Sequence, residues 1–509
     1  MSDKFRGLGL TFDDVLVLPG LAEVEPKGID VSTYLTRRSK PHGVIRLGIP
    51  IIAAPMDTVT ESGLAIAMAR EGGLGIIHRG CPVDYEVEKV KLVKRAQSGK
   101  IHKPYTLHPD QHLSDVRKLM DRRKISGIPI VDENKTLVGL VTRRDVLLRT
   151  GDDDPLIREI MKPRNQLIVG DDSTDLDAAS RIMNDNRIKK LPLVDAEGKS
   201  VGMYTRTDIL TRIQYPRAVF DDKGRLLVGA AVGVTDFEDR IPQLVHAGAD
   251  VLCVDVSHAH SVKVLHVIKW IRSWIDANRP SVALIGGNVG TYHGARAVID
   301  AGVDVIKVGI GPGSICTTRV ITGGGVPQIT AVQWAVDAAR DAAHEATTDQ
   351  NHPVEPVPVI ADGGIRHSGD VVKCLVAGAS SAMLGSMLAG TEESPGEFII
   401  HNGRKTKVYR GMGSQGAIAM AADRYGHDDS DIAKAVPEGI EGMVDYRGFL
   451  KDVIFQIVGG IRAGLGLAGQ PSVADAPKAQ FIQITNAGIV ESHPHDVLIT
   501  QQAPNYYGR

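Results

Sequence analysis

Val303-Asp-Val-Ile-Lys-Val-Gly-Ile-Gly-Pro-Gly-Ser-Ile-Cys-Thr-Thr-Arg319 is a short apolar run that ends abruptly in a glycine-rich turn. A run of this length, rich in β-branched residues and bounded by glycine, reads as a strand buried on both faces, the kind that parallel sheets contain. Outward from 303–308, similar runs ending in Gly, Asp, Ser or Asn recur at 51–54, 74–77, 227–232, 251–254, 282–285, 357–360 and 381–384. Between most of them lie segments with helical apolar spacing, such as Val83, Val87, Val90 and Val93, or Ala295, Val298 and Ala301. Eight buried strands alternating with helices predict an α/β fold, a (β/α)8 TIM barrel, with its chemistry at the C-terminal strand ends.

From about residue 99 to about 215 the alternation stops and another pattern appears twice. Pro129 and Pro192, Asp132 and Asp195, Gly139 and Gly202, Thr142 and Thr205, and Asp145 and Asp208 pair at one constant offset, so this is a tandem duplication inserted into the barrel. It resembles a pair of CBS modules (a Bateman module), whose Thr-x-x-Asp holds the ribose hydroxyls of a purine nucleotide. Helix capping by Asp145 and Asp208 is the competing reading. The polar stretch at 340–356 reads as a surface excursion, and the long connection from 391 to about 446 reads as a lid over the catalytic face.

With 59 Lys+Arg against 61 Asp+Glu among 509 residues, the formal net charge of -2 argues against a partner held by bulk charge, whether nucleic acid or membrane surface. Gly 55 with only 4% aromatic residues suits an α/β enzyme with many tight turns. The four cysteines, Cys81, Cys253, Cys316 and Cys374, form neither a zinc spacing nor a disulfide framework, so a reducing, cytoplasmic setting is expected. No signal peptide and no membrane span is read from the sequence.

Cys316 stands at a strand end behind a glycine turn, followed by Thr317, Thr318 and Arg319, and that position reads as a nucleophile at the barrel mouth. Ala361-Asp-Gly-Gly-Ile365 and Leu384-Gly-Ser386 fall on the seventh and eighth loops, the usual phosphate cradle of this barrel, and Asp362 suits ribose hydroxyls. Asp255-Val-Ser-His-Ala-His260 and Gly286-Gly-Asn288 follow the fourth and fifth runs and read as a polar wall for a second substrate. His258 and His260 lack a third ligand for a metal. No GxGxxG follows a strand to open a Rossmann site, so a dinucleotide would have to lie extended along these loops.

At these residues the chain resembles the inosine-5′-monophosphate dehydrogenase and GMP reductase family. The matching stretches run in order from Leu10-Thr-Phe-Asp-Asp14 through Met56-Asp-Thr-Val-Thr-Glu61, Gly313-Ser-Ile-Cys-Thr-Thr318, Tyr409-Arg-Gly-Met-Gly-Ser414 and Pro437-Glu-Gly-Ile-Glu-Gly442 to Gln502-Ala-Pro-Asn-Tyr506. The resemblance implies oxidation of IMP to XMP in guanine nucleotide biosynthesis, with Cys316 adding to the purine, NAD taking the hydride, and Thr318, Arg424, Tyr425 and Glu438 serving the hydrolytic step. Without the family, Arg424 would be read as a surface charge or an anion clamp. The same resemblance assigns Ser314, Gly364, Gly385, Ser386 and Tyr409 to the phosphate of IMP, Asp362 to its ribose, and Met412, Gly413 and Glu438 to its base. It gives Asp255, Ser257, Asn288, Gly309 and Gly311 to NAD. Carbonyls of Gly311, Gly313 and Cys316, with Glu491, Ser492 and His493 from a neighbouring copy, would bind K+. A homotetramer is implied, pairing into octamers through CBS modules that bind ATP or GTP at Thr142, Asp145, Thr205 and Asp208.

The expected division is a catalytic barrel over 1–98 and 216–509, CBS domains over 99–157 and 158–215, and a catalytic flap over 391–446. Val256, Ala259 and Arg79-Gly-Cys-Pro82 depart from the family pattern. Two rival readings remain: a GMP reductase using NADPH, and a purine-nucleotide sensor built on an inactive barrel.

Overall fold

Eight short parallel strands close on themselves: β1 (Ile51–Ala53), β2 (Leu74–Ile77), β3 (Gly229–Val232), β4 (Val251–Val254), β5 (Ala283–Val289), β6 (Val305–Val308), β7 (Val359–Asp362) and β8 (Ser381–Leu384), with β8 pairing back onto β1. The computed structural model describes residues 4, 6–39, 43–96, 101, 104–123, 125–147, 153–348, 353–418, 436–501 and 503–506. Every barrel-strand residue except Asp362 is buried, which is why the strands read as unbroken apolar runs rather than alternating ones. Each large aliphatic side chain fully buried in this way contributes about 1.5–3 kcal/mol.

One long helix follows each strand: α1 (Ser62–Glu71), α2 (Val83–Ala96), α3 (Phe237–Ala247), α4 (Val262–Asn278), α5 (Tyr292–Asp300), α6 (Gln328–Ala346), α7 (Ser368–Val376) and α8 (Leu450–Leu467). Val87, Val90 and Val93 of α2, and Ala295 and Val298 of α5, face inward as their spacing requires. The ring closes where α8 packs against both α7 and α1. Near the chain's two ends, Val15–Val17 pairs antiparallel with Phe481–Gln483. Among the described residues no helix is long and apolar enough to cross a membrane.

Three expectations change. Gly286-Gly-Asn288 belongs to β5 itself rather than to the loop after it, because a glycine is needed for β6 to approach: a Cβ on Gly287 would lie 2.3 Å from the Lys307 carbonyl oxygen. Ala361 and Asp362 likewise end β7, so the turn begins at Gly363. The polar stretch from Arg340 is not a loop at its start, since α6 continues to Ala346. Its Ala339 and Ala343 are buried, while Asp341 accepts from the Tyr292 hydroxyl at 2.7 Å and Glu345 pairs with Arg296, so these charges form the outer face of a helix held to α5. After β8, the connection holds an antiparallel sheet of Phe398–His401, Arg404–Arg410 and Glu441–Asp445.

The chain divides into two compact units, Met1–Ala96 with Arg217–Val219 and Leu226–Arg509, and Gln97–Pro216 with Phe220–Arg225. The second unit contains two hydrophobic clusters, one around Val116, Ile128, Ile130 and Val141, the other around Met183, Leu191, Leu193 and Tyr204. Their hairpins, Gly127–Val131 with Leu137–Thr142 and Lys190–Val194 with Ser200–Thr205, carry a register shift at equivalent positions. In each turn an aspartate, Asp132 or Asp195, accepts backbone N–H bonds and a residue in the left-handed region completes the reversal. That residue is Gly198 at φ 82° in one copy and Lys135 at φ 65° in the other. A side chain is disfavoured there, so Lys135→Gly is expected to stabilise the unit by about 0.5–1 kcal/mol, read as a higher urea midpoint at unchanged slope. An unchanged or lower midpoint would show that the turn is not strained.

Candidate active site

The C-terminal ends of the strands surround a cavity of about 400 Å³. The loop after β6 enters it by a sharp bend in which Gly311 adopts φ 71°, and a Cβ there would lie 2.7 Å from Arg319 Cγ. Arg319 braces the bend, donating to the carbonyls of Ile310 at 2.9 Å and Val326 at 2.5 Å. A second strap comes from 438–440: Thr317 N–H donates to the Glu438 carbonyl at 2.8 Å, and Ile440 N–H to the Ile315 carbonyl at 3.0 Å.

These backbone bonds fix three side chains in a line. Thr318 Oγ1 donates to Glu438 Oε2 at 2.7 Å, and Cys316 Sγ lies 3.1 Å from the same hydroxyl. A carboxylate only accepts, so the threonine's single proton is committed to Glu438 and its lone pairs face the thiol. The arrangement can carry a proton from sulfur to carboxylate. The other cysteines lack such a setting: Cys253 and Cys374 are fully buried, burial pushes the Cys374 thiol well up from its ordinary value, and it pushes that of Cys81 up to about 12.

The same cavity is bordered by a buried polar cluster with a lysine at its centre. Lys307 projects from β6 and is wholly buried, with Nζ 3.4 Å from both Asp255 Oδ1 and Asp362 Oδ2 and hydrogen-bonded to Asn288 Oδ1. Asn288 Nδ2 donates to Asp362 Oδ2 and to the Gly309 carbonyl, each at 2.8 Å. Lys307 was not singled out from sequence. Its signal was a cation between apolar residues near the end of the run.

The loops after β7 and β8 bring backbone close to the same space. Gly363 and Gly364 adopt φ 91° and 79°, and a Cβ on Gly385 would meet the Tyr409 hydroxyl at 3.1 Å. Tyr409 is buried and hydrogen-bonds with Ser314; burial, relieved in part by that bond, pushes its phenol up to about 12.

Of the residues expected from sequence, Asp255, Ser257, Asn288, Gly309, Gly311, Gly313, Ser314, Cys316, Thr318, Asp362, Gly364, Gly385, Ser386, Tyr409, Met412, Gly413 and Glu438 all line this one cavity. Arg424 and Tyr425 lie outside the described residues. Glu491, Ser492 and His493 close a C-terminal helix, where His493 Nδ1 is 3.1 Å from the Tyr506 hydroxyl, and they are not among the lining residues of this chain's cavity. In the second unit, Asp145 accepts from both the N–H and the hydroxyl of Thr142, at 2.8 and 2.7 Å, which is the local capping arrangement. Thr205 ends the matching strand, and the Asp208 side chain lies outside what the structure describes. His258 and His260 have ring centroids 6.2 Å apart, and burial lowers the pKa of His258. Among the described residues no group of three or more His, Cys, Asp or Glu could hold a metal.

A closed (β/α)8 barrel whose C-terminal rim brings a thiol, a threonine and a carboxylate together beside glycine-rich loops has the layout of an α/β-barrel enzyme. Residues 9–495 match the family described as IMP dehydrogenase / GMP reductase domain, and the chain belongs to that family. It is 50% identical over 504 residues to inosine-5′-monophosphate dehydrogenase of Aquifex aeolicus, covering 98% of each chain. It is 49% identical over 507 residues to the enzyme of the same name from Halalkalibacterium halodurans, covering 99% of each. Among solved structures it is similar to GMP reductase from Trypanosoma brucei in complex with guanosine 5′-monophosphate, with TM-score 0.82 and 36% identity over 97% of this chain and 98% of that one.

A phenol whose pKa is raised stays protonated to higher pH than an ordinary tyrosine, which ionises near about 10. Tyr409 is therefore expected to remain a neutral donor until near pH 12. The tyrosinate absorbance difference between wild type and Tyr409→Phe should stay flat from about pH 9 to about 10.5. A step within that range would contradict the burial argument.

Proposed function

We propose that this chain oxidises IMP to XMP with NAD, in guanine nucleotide biosynthesis, through a covalent bond to Cys316. The line of Cys316 Sγ, Thr318 Oγ1 and Glu438 Oε2 carries the reading, in a chain half identical over nearly its whole length to a dehydrogenase of that name. Ser314, Gly364, Gly385, Ser386 and Tyr409 hold the phosphate, where backbone N–H groups converge on an anion. Asp362 accepts from the ribose hydroxyls, and Met412, Gly413 and Glu438 meet the base. The thiol loses its proton along the Thr318–Glu438 line, and its sulfur bonds to C2 of the purine as N3 takes up a proton. NAD, when bound, accepts the hydride that leaves C2. Loss of that hydride and of the N3 proton re-forms the ring double bond and leaves the purine joined to Cys316. Water then bonds to C2, one of its protons going to N3 and the other through Thr318 to Glu438; the C2 carbonyl forms as the carbon–sulfur bond breaks and Cys316 departs as thiolate.

Asp255, Ser257 and Asn288, beside Gly309 and Gly311, form a polar wall that suits the dinucleotide. For K+, carbonyl oxygen is the right donor type. Among the described residues the carbonyls of Gly311 and Cys316 accept no hydrogen bond, while that of Gly313 accepts from Cys316 N–H at 3.1 Å. Glu491, Ser492 and His493 of a second copy complete that ligand set, which requires an oligomer; the family resemblance makes it a homotetramer that pairs into octamers through the CBS modules, in the cytoplasm. The flap over 391–446 carries Arg424 and Tyr425 to the water-activating step, with Thr318 and Glu438. The duplicated unit is a CBS pair that takes ATP or GTP at Thr142, Asp145, Thr205 and Asp208.

The likeness to a solved GMP reductase favours a second reading, reduction of GMP with NADPH. Absorbance of the reduced nicotinamide separates the two: it rises with IMP and NAD for the dehydrogenase and falls with GMP and NADPH for the reductase. Cys316→Ala is expected to lower turnover by about 1,000-fold or more, and mass spectra of quenched wild-type reactions should contain a nucleotide-bearing Cys316 peptide. Arg424→Ala should keep the NADH burst while slowing XMP release. Equal loss of both phases would remove Arg424 from the hydrolytic step.

A further inference from the structure

We infer that Lys307 is a positioning residue shared by both halves of the active site, its ammonium setting the Asp362 carboxylate for the nucleotide and the Asp255 carboxylate for the dinucleotide. The inference deepens the reading above and rests on its assignment of those two aspartates.

Lys307 and Asp255 have side chains only 1% exposed, and Asp362 is 21% exposed. Two carboxylates that converge on one buried side chain repel each other, and a cation between them offsets that repulsion. Lys307 Nζ is that cation, at 3.4 Å from each. An ammonium can only donate, so it also dictates which way the Asn288 amide faces: Oδ1 turns to Lys307, and the two Nδ2 hydrogens are left for Asp362 Oδ2 and the Gly309 carbonyl. Asp362 Oδ2 is thus held from two sides. Its Oδ1 makes no hydrogen bond among the described residues and lies on a residue that lines the cavity, which leaves it to accept from a ribose. Lys307 therefore acts through Asp255, Asn288 and Asp362.

The test compares three variants of the full chain by equilibrium binding of IMP and by steady-state kinetics with NAD. Asp362→Asn should weaken IMP and spare the KM for NAD, and Asp255→Asn should do the reverse. Lys307→Met should do both, weakening IMP binding and raising the KM for NAD by roughly 10- to 100-fold each, the size of a lost charge-assisted hydrogen bond, with kcat changed by less than about threefold. A structural role alone would lower the folded fraction without this split between KM and kcat. If Lys307→Met alters only one ligand, or neither, the shared role is overturned. If Asp362→Asn leaves IMP binding intact, it is the ribose assignment that fails. Should Lys307→Met not fold, Lys307→Gln, which keeps a donor of similar length, must show the same paired loss in smaller degree. Wild-type affinities in that variant, or failure of both to fold, would make Lys307 a folding residue and sink the assignment.

Discussion

Closure of the parallel barrel leaves no strand face in water, and the rest of the site follows from that constraint. Strand interiors have to be apolar on both sides, so charged groups are pushed to where the strands run out, and those that line the cavity stand at the C-terminal rim. Asp255 and Asp362 occupy that rim, one just beyond the end of β4 and one at the end of β7. Lys307 is the exception, a charge one residue inside the end of its strand, and it is tolerated because carboxylates and an amide from three neighbouring strand ends converge on it.

Glycine does two kinds of work around this rim. At Gly311, Gly363 and Gly364 it supplies backbone angles that a side chain resists, so the loops turn back over the cavity. At Gly287 and Gly385 it supplies space, for the β6 backbone in one case and for the Tyr409 hydroxyl in the other. The thiol is consequently carried by a loop tied down at several points, by Arg319 to two carbonyls and by 438–440 through backbone bonds. The strap that steadies Cys316 also delivers the Glu438 carboxylate to Thr318, so the loop and the Thr318–Glu438 bond are set by the same contacts.

Local patterns were enough to read the strands, the cysteine turn and the glycine loops, because each depends on neighbours in sequence. The strand assignments at 251–254 and 381–384 coincide with β4 and β8 to the residue. What escaped depends on closure. Lys307 meets Asn288, Asp255 and Asp362 across sequence separations of 19, 52 and 55, and nothing within its own run announces them. Gly286-Gly-Asn288 read as part of a polar wall after the fifth run because the apolar stretch ends at Ile285, whereas the approach of a neighbouring strand is invisible before pairing is known. The stretch from Arg340 read as loop because its polarity was judged without α5, whose Tyr292 and Arg296 take up its charges.

The duplicated unit poses the opposite problem, because there local chemistry explains a motif that function would also claim. Asp145 is satisfied by Thr142 in the manner of any helix cap, and a carboxylate bonded in this way still has lone pairs to offer a ribose. Under the proposed reading, capping and nucleotide contact would be successive uses of one group: the cap holds the carboxylate at the start of its helix, where a ligand would find it already placed. The same order of causes applies at the rim of the barrel. Lys307 and Asn288 hold Asp362 by one oxygen, and the other is left for whatever enters the cavity. In both units a carboxylate is first fixed by the fold and only then available to a ligand, so that little ordering remains to be done when the ligand arrives.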